Sequence, residues 1–423
     1  MRVLIVNTSE RTGGAALAAS RLMEALNNNG VKAKMLVRDK ESDRITVAAL
    51  PQTWRLRWNF LWERFCIWLH LHLKRQHLFD IDIANSGTDI TRLREFQEAD
   101  VIHLHWVNQG MLSLKDIRKI LTSGKRVVWT MHDIWPATSI CHLTLDCRRF
   151  ETQCRQCRLL PGDGSANDLA AKVWHRKEKM LAGSKVTFVA CSQWLANEAR
   201  KSGLLKGQNI TSIPNAIDTH VYRPICKREA RQALGLPEEG RLILFVSQRA
   251  TNPYKGMKYL TEACHILHQE SGSPDDSRPD HHHQVGVIIL GGHAEEVVSQ
   301  LPFRSYPLGY VNDEQRIVQV YNAADVFVLP SLSENLPNTI MEAMACGVPS
   351  VAFRIGGIPE EIDHLQNGYV AEYRDAADLA KGIHWALYEC NPDDVRKACL
   401  QKVAHQYSQQ SVAVRYTKVY SGE

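Results

Sequence analysis

No apolar run in this chain approaches the roughly 18 to 20 residues that a bilayer-spanning helix needs. The first residues, MRVLIVNTSERTGG, turn polar after one short apolar run. They lack the long apolar middle and small-residue cleavage site of a secretory leader. A cytoplasmic location is therefore expected, with most of the 11 cysteines as reduced thiols. No low-complexity tract interrupts the chain, and it holds no recognition motif for nucleic acid, so none is expected among its partners. The early glycine-rich turn, TGGAA, is not G-x-G-x-x-G, and no acid ends the second apolar run at Val37. A dinucleotide-dependent oxidoreductase is thereby disfavoured, although Asp39 stands two residues beyond.

With 423 residues the chain exceeds one compact core and suits two domains of about 200 residues each. In its first half, short apolar, β-branched runs lie at 3–6, 34–37, 101–106, 127–131, 187–191 and 210–213. In the second half they lie at 242–246, 285–290, 306–310, 326–329, 350–353 and 368–371, with helical patterns between. Continuous apolar strands alternating with helices predict parallel sheets covered on both faces. Two such series, joined near residues 214–224, predict an α/β chain of two doubly wound, Rossmann-like domains. The expected bounds are 1–215 and 216–400, with a C-terminal helix over 401–423 closing the fold. Ligands of open parallel sheets bind beyond the carboxyl ends of the strands. Gly13, Gly14, His105, His132, Asp133, Ser192, Arg249, Gly291 and Glu334 all follow such ends. For Ser192 a helix cap is the simpler role.

The formal net charge of +5 is unevenly spread. Residues 54–74 carry Arg55, Arg57, Arg64 and Lys74 against the single Glu63, interleaved with Trp54, Trp58, Phe60, Trp62, Phe65 and Trp68. A helix of this composition suits peripheral contact with a membrane surface, or packs as an amphipathic helix on a domain flank. The polar insertion 271–284, with three histidines, reads as a surface loop. Asp80 and Asp82 form a D-x-D in a polar connection, incidental to any metal chemistry. Cys141, Cys147, Cys154 and Cys157 fall within 17 residues after His132–Asp133 and end in C-x2-C. Four thiolates so placed could close a structural zinc site; free thiols and a disulfide are the alternatives.

The densest constellation is residues 330–353, PSLSENLPNTIMEAMACGVPSVAF. A strand ends at Leu329 and a polar loop follows through Ser331, Ser333, Glu334 and Asn335. Pro337 then suits the first helical position, and Gly347 and Pro349 stop the helix after about ten residues. Backbone N–H groups of Leu336 and Asn338, together with the helix dipole, make this end a diphosphate site. Glu334 and Glu342 are spaced E-x7-E, one in the loop and one on the helix.

This segment resembles the donor-binding motif of retaining GT-B glycosyltransferases, specifically family four, and the resemblance extends along nearly the whole chain. TSERTGGAALAASRL is similar to the family's glycine-rich first loop, and VVWTMHD places His132 and Asp133 at its active-site histidine position. SIPNAIDTHVYRP resembles the hinge that introduces the second domain, SQRATNPYKG its basic pair Arg249 and Lys255, and GYV and NAADVFVLPS complete the set. The cysteine loop looks like that of the colanic-acid-type subset, with His142 displaced by two from the subset's pattern.

The resemblance implies two Rossmann-like domains facing a central cleft. It also implies transfer of a sugar from a nucleoside diphosphate (UDP or GDP) to a glycan or lipid-linked oligosaccharide, with retention of configuration, in bacterial surface polysaccharide synthesis. Gly14, Arg249, Lys255, Asn335, Leu336, Pro337, Asn338 and Glu342 would bind the donor. Arg249 and Lys255 would neutralise the leaving diphosphate, so that no metal cofactor is required for catalysis. Glu342 would hold the ribose, while His132 and Glu334 would stand against the transferred sugar. His105 and Asp133 fall on the acceptor side, with a structural role equally open to His105. A covalent intermediate and front-face exchange both remain open. Competing readings are a UDP-sugar 2-epimerase and a non-catalytic nucleotide-sugar-binding module.

Overall fold

The computed structural model describes residues 1–51, 53–271 and 285–423. The three histidines of the polar insertion, His281 to His283, lie outside the described residues. The chain divides into two compact units, Met1–Ala216 with Val412–Glu423, and Ile217–Ser411.

The first unit holds seven parallel strands: β1 Arg2–Ser9, β2 Lys32–Asp39, β3 Val47–Ala49, β4 Val101–Leu104, β5 Arg126–Met131, β6 Thr187–Ala190 and β7 Asn209–Ser212. Their order is β3-β2-β1-β4-β5-β6-β7, so the winding reverses between β1 and β4. Side-chain alternation along β1 feeds two apolar layers. Val3 and Ile5 enter the layer closed by the helix Gly14–Asn28 and by Tyr416 and Tyr420, while Leu4 and Val6 enter the other. Strand β3 is a three-residue edge inside the apolar stretch 45–50, ITVAAL, which is not among the runs expected to form strands.

The second unit holds six parallel strands: β8 Arg241–Arg249, β9 Val285–Gly292, β10 Arg304–Gly309, β11 Val326–Leu329, β12 Ser350–Phe353 and β13 Gly368–Ala371. Their order is β10-β9-β8-β11-β12-β13, with the reversal between β8 and β11. Such a switch point opens a crevice at the strands' carboxyl ends. The expected C-terminal segment 401–423 divides. The helix Pro392–Lys402 and the π-turn Val403–Tyr407 belong to the second unit, and most of the helix Gln409–Ser421 returns to the first. No helix among the described residues is long and apolar enough to cross a membrane.

Candidate functional site

In the second unit the reversal brings the end of β8 beside the end of β11. Strand β11 runs into the loop 330–337 and then the helix Asn338–Ala345. Pro337 is the N-cap, with φ −72° and ψ 115°, so the helix begins one residue later than the sequence suggested and has eight residues rather than ten. Its proline ring fixes φ, but the extended ψ places the residue outside the helix. Gly347, at φ +75°, closes it in the left-handed conformation. Ile340, Met341 and Met344 are fully buried, each contributing about 1.5–3 kcal/mol to seating this short helix.

The loop is gripped on several sides. Leu332 N–H donates to the Tyr254 carbonyl at 2.8 Å, Tyr373 Oη donates to the Leu332 carbonyl at 3.1 Å, and Gly357 N–H donates to the Asn335 carbonyl at 2.7 Å. Two glycines permit the close approach. A Cβ on Gly256 would lie 1.8 Å from the Pro330 carbonyl oxygen, and one on Gly356 would lie 1.9 Å from that of Glu334. Both have positive φ, which doubly favours glycine.

Lys255 Nζ meets Glu334 Oε1 at 2.5 Å, with the lysine side chain about one-third exposed (32%) and the glutamate at 13%. Arg249 ends β8 exposed, and its side chain pairs with no acid among the described residues. Glu342 is buried on the helix and accepts a hydrogen bond from Tyr321 Oη at 2.8 Å. Burial, and then the Glu342 charge, hold the Tyr321 hydroxyl well above its ordinary pKa. Sequence reasoning missed Tyr321, whose helix Glu314–Ala323 carries no motif pointing to Glu342. It also missed Glu361, which is fully buried just beyond the Gly356–Gly357 pair. Both its carboxyl oxygens lack partners. Burial, then the nearby Glu334 charge, raise its pKa well above the carboxylate range.

In the first unit, Gly13 adopts φ 93° and Gly14 opens the helix Gly14–Asn28. His105 Nδ1 and His132 Nε2 lie 2.9 Å apart, and the His105 ring lies 4.3 Å from that of His103, centroid to centroid. His103 is fixed in turn by Thr130 Oγ1 at 2.8 Å and by Tyr420 Oη at 2.7 Å, and Thr130 contacts Tyr416 Oη at 2.9 Å. Burial pulls His132 down to about 4 and His103 to about 3, and burial with the His103 charge takes His105 well below its usual value. At neutral pH all three rings are uncharged. Ser192 caps its helix by accepting from Leu195 N–H at 3.0 Å.

Asp133 is held by three donors. It accepts from Trp135 N–H at 2.8 Å, from Trp106 Nε1 at 3.0 Å and from His142 Nδ1 at 2.7 Å. His142 Nε2 also meets Asp82 Oδ2 at 2.7 Å, and Asp82 pairs with Arg64. Asp82 is therefore a buried structural acid, whereas Asp80 is exposed and pairs with His77. Lys177, fully buried, holds the same loop from beneath through the carbonyls of Trp135 at 2.6 Å and Thr138 at 3.0 Å.

Cys141, Cys147, Cys154 and Cys157 lie close enough to perturb one another, and burial pushes Cys141 and Cys154 up to about 12. Among the described residues no three histidine, cysteine, aspartate or glutamate side chains converge as metal ligands.

This architecture is that of the GT-B glycosyltransferases. Over its full length the chain resembles sucrose-phosphate synthase from Thermosynechococcus elongatus with a TM-score of 0.65 at 18% identity, covering 98% of that chain. It resembles Anabaena HepE, solved in complex with UDP, with a TM-score of 0.62 at 18% identity over 100% of both chains. Residues 12–221 match the model described as Glycosyltransferase Family 4, and residues 240–389 match Glycosyl transferases group 1. The chain belongs to this family of glycosyltransferases. D-inositol 3-phosphate glycosyltransferase 2 of Catenulispora acidiphila is 28% identical over 48% of this chain and 49% of its own length. N-acetyl-alpha-D-glucosaminyl L-malate synthase of Bacillus anthracis is 23% identical over 81% of this chain and 79% of its own. The chain thus spans about half the length of the inositol-phosphate relatives it matches.

Proposed function

We propose that the chain transfers a sugar from a nucleoside diphosphate, UDP or GDP, to a glycan or lipid-linked oligosaccharide, retaining the anomeric configuration, in the building of bacterial surface polysaccharide. The observation that carries this reading is the Lys255–Glu334 pair at the β8/β11 switch point, next to the start of the helix Asn338–Ala345. A diphosphate docked against that helix end gains from the dipole and from Arg249 and Lys255, whose charges offset the one that builds on the leaving group. Two cations so placed make a divalent metal unnecessary. UDP as the nucleotide is favoured by HepE, a fold relative solved with UDP.

The bond from the anomeric carbon to the diphosphate oxygen breaks, and a bond from that carbon to the acceptor hydroxyl oxygen forms. Asp133 is held by three donors and Glu334 by Lys255, which leaves the departing diphosphate to take the hydroxyl proton. Front-face exchange follows from that assignment. The neutral His132 and the Glu334 carboxylate hold the sugar's hydroxyls.

The experiment is to incubate the protein with a panel of nucleotide sugars, with and without candidate acceptors, and to measure free nucleoside diphosphate. Release only when an acceptor is present is expected. Release or epimerisation without one would indicate a donor-modifying enzyme, and binding without turnover would indicate a binding module.

A further inference from the structure

The helix Trp54–His70 has two faces of opposite character. Its inner face buries Leu56, Glu63, Arg64 and Ile67. Glu63 Oε1 accepts the backbone N–H groups of Ile83 at 2.9 Å and Ala84 at 2.6 Å, and Arg64 Nη1 donates to the Leu78 carbonyl at 2.7 Å and pairs through Nη2 with Asp82. These buried polar contacts fix the helix's rotation, so what faces outward is set by the fold.

The outward stripe recurs at helical spacing: Trp54, Trp58, Leu61, Trp62, Phe65 and Leu69 are all exposed, Trp54 by 73% and Leu61 by 58%. The rings form a ladder, with centroids 6.0 Å apart between Trp58 and Trp62, 5.9 Å between Trp62 and Phe65, and 6.1 Å between Phe65 and Trp68. A contiguous apolar patch of this kind marks an interaction site on a water-soluble surface. The charges around it have one sign. From 54 to 79 the only acid is Glu63, which is buried, whereas Arg55, Arg57, Lys74 and Arg75 are all exposed. Indole rings sit at headgroup depth, and arginine and lysine beside them are drawn to anionic lipid. A protein partner would have to bury four cations without a matching acid from this segment.

We propose that the outward face of the helix Trp54–His70 is a docking surface for an anionic lipid bilayer, on which this protein rests without crossing it. The surface stands on its own observations, and it would bring a lipid-linked acceptor to the chain if the transferase reading above also holds.

The test is vesicle flotation of the full chain, with no donor or acceptor present. Vesicles containing 30% phosphatidylserine or phosphatidylglycerol (about that fraction is enough to charge the surface) are compared with pure phosphatidylcholine. Binding to the anionic vesicles at least tenfold stronger than to neutral ones is expected, weakening as salt is raised. W58S/W62S should reduce it by at least tenfold. R55Q and R57Q should each reduce it about fivefold, which is about 1 kcal/mol per cation. All these residues are exposed, and an unchanged melt and unchanged nucleotide binding would show that the variants are folded. Equal binding to neutral vesicles would overturn the anionic-lipid assignment. No binding, with a dimer in solution that W58S/W62S dissociates, would make the face an interface between copies and overturn the proposal. Because no turnover is read, failure here leaves the transferase reading standing, and the reverse also holds.

Discussion

The Lys255–Glu334 pair makes a prediction that separates a working site from a structural ion pair. The two side chains are bonded to one another, yet the proposed function gives each a task toward the donor: the lysine toward the diphosphate, the glutamate toward the sugar. Before donor binds, the carboxylate therefore competes with the diphosphate for the lysine. Lys255→Ala should lower kcat by about 100- to 1,000-fold, the loss seen when one preorganised transition-state charge partner is removed, about 2.7–4 kcal/mol. The same change should weaken UDP binding. Glu334→Gln should also lower kcat, because the sugar loses its acceptor group, but it should tighten UDP binding about fivefold by releasing Lys255. Stability should move little. A pair with one partner about a third exposed is worth about 0–1 kcal/mol, which in a unit of about 200 residues shifts Tm by no more than about 4 °C. Steady-state kinetics, calorimetric titration with UDP and a thermal melt read all three quantities. A merely structural pair predicts that both variants weaken UDP binding and melt early together. That outcome, or kcat within about tenfold of the parent for both, refutes the reasoning.

The remaining expectations concern buried groups and metal. Tyr321→Phe strips the buried Glu342 carboxylate of a hydrogen-bond donor, and hydrogen bonds to charged groups are worth about 1.5–3 kcal/mol. UDP affinity should fall about tenfold or more, and unchanged affinity would remove Glu342 from the nucleotide site. Glu361 is neutral when folded and ionises at an ordinary pKa when unfolded, so it costs stability as pH rises above the unfolded value. Glu361→Gln should therefore raise Tm more at pH 8 than at pH 5, and equal shifts at the two pH values would contradict its burial as an acid. His132 should titrate near 4 by NMR, with no acid limb in kcat near the ordinary imidazole value; a midpoint of 6 or above would mean the ring is not desolvated. Elemental analysis of reduced protein should return one zinc per chain if Cys141, Cys147, Cys154 and Cys157 are its structural ligands, and EDTA should leave transfer intact. Substoichiometric metal in folded, reduced protein would rule that site out.

What the sequence disclosed and what it withheld follow from the range of the interactions. Strands β4, β5, β8, β11 and β12 were legible because a parallel strand buried on both faces must be an unbroken apolar run. Strand β3 was missed although 45–50, ITVAAL, is an apolar stretch, because only three of its residues pair, at the sheet edge. The helix after Glu334 was legible from Pro337 and Gly347, but its start was misplaced by one residue because a proline's fixed φ serves an N-cap as well as a first turn. The partners of the site residues were hidden. Tyr321 meets Glu342 across 21 residues, His142 meets Asp82 across 60, and Tyr420 meets His103 across 317. No local pattern encodes such pairings; they exist only once the sheet has brought the elements together.

The charge layout in each unit bears on how one transfer can be run by groups of such different character. In the second unit the partly exposed Lys255 is bonded to Glu334, just before a helix, and Arg249 is exposed at the end of β8, a setting suited to an anion that arrives charged and leaves more so. The acid deepest behind them, Glu361, is kept protonated by burial and adds no repulsion toward that anion. In the first unit the opposite holds. Three adjoining imidazoles are kept neutral by burial, and the carboxylate of Asp133 is held by three donors. Neutral rings are rigid hydrogen-bonding partners for hydroxyl groups and make no electrostatic demand on a glycosyl centre that becomes positive. A histidine charged at neutral pH in that position would oppose the developing oxocarbenium. If the proposed site holds, the desolvation that lowers His132 is a requirement of its chemistry, and the His132 ring adjoins His105, which rests against the buried His103.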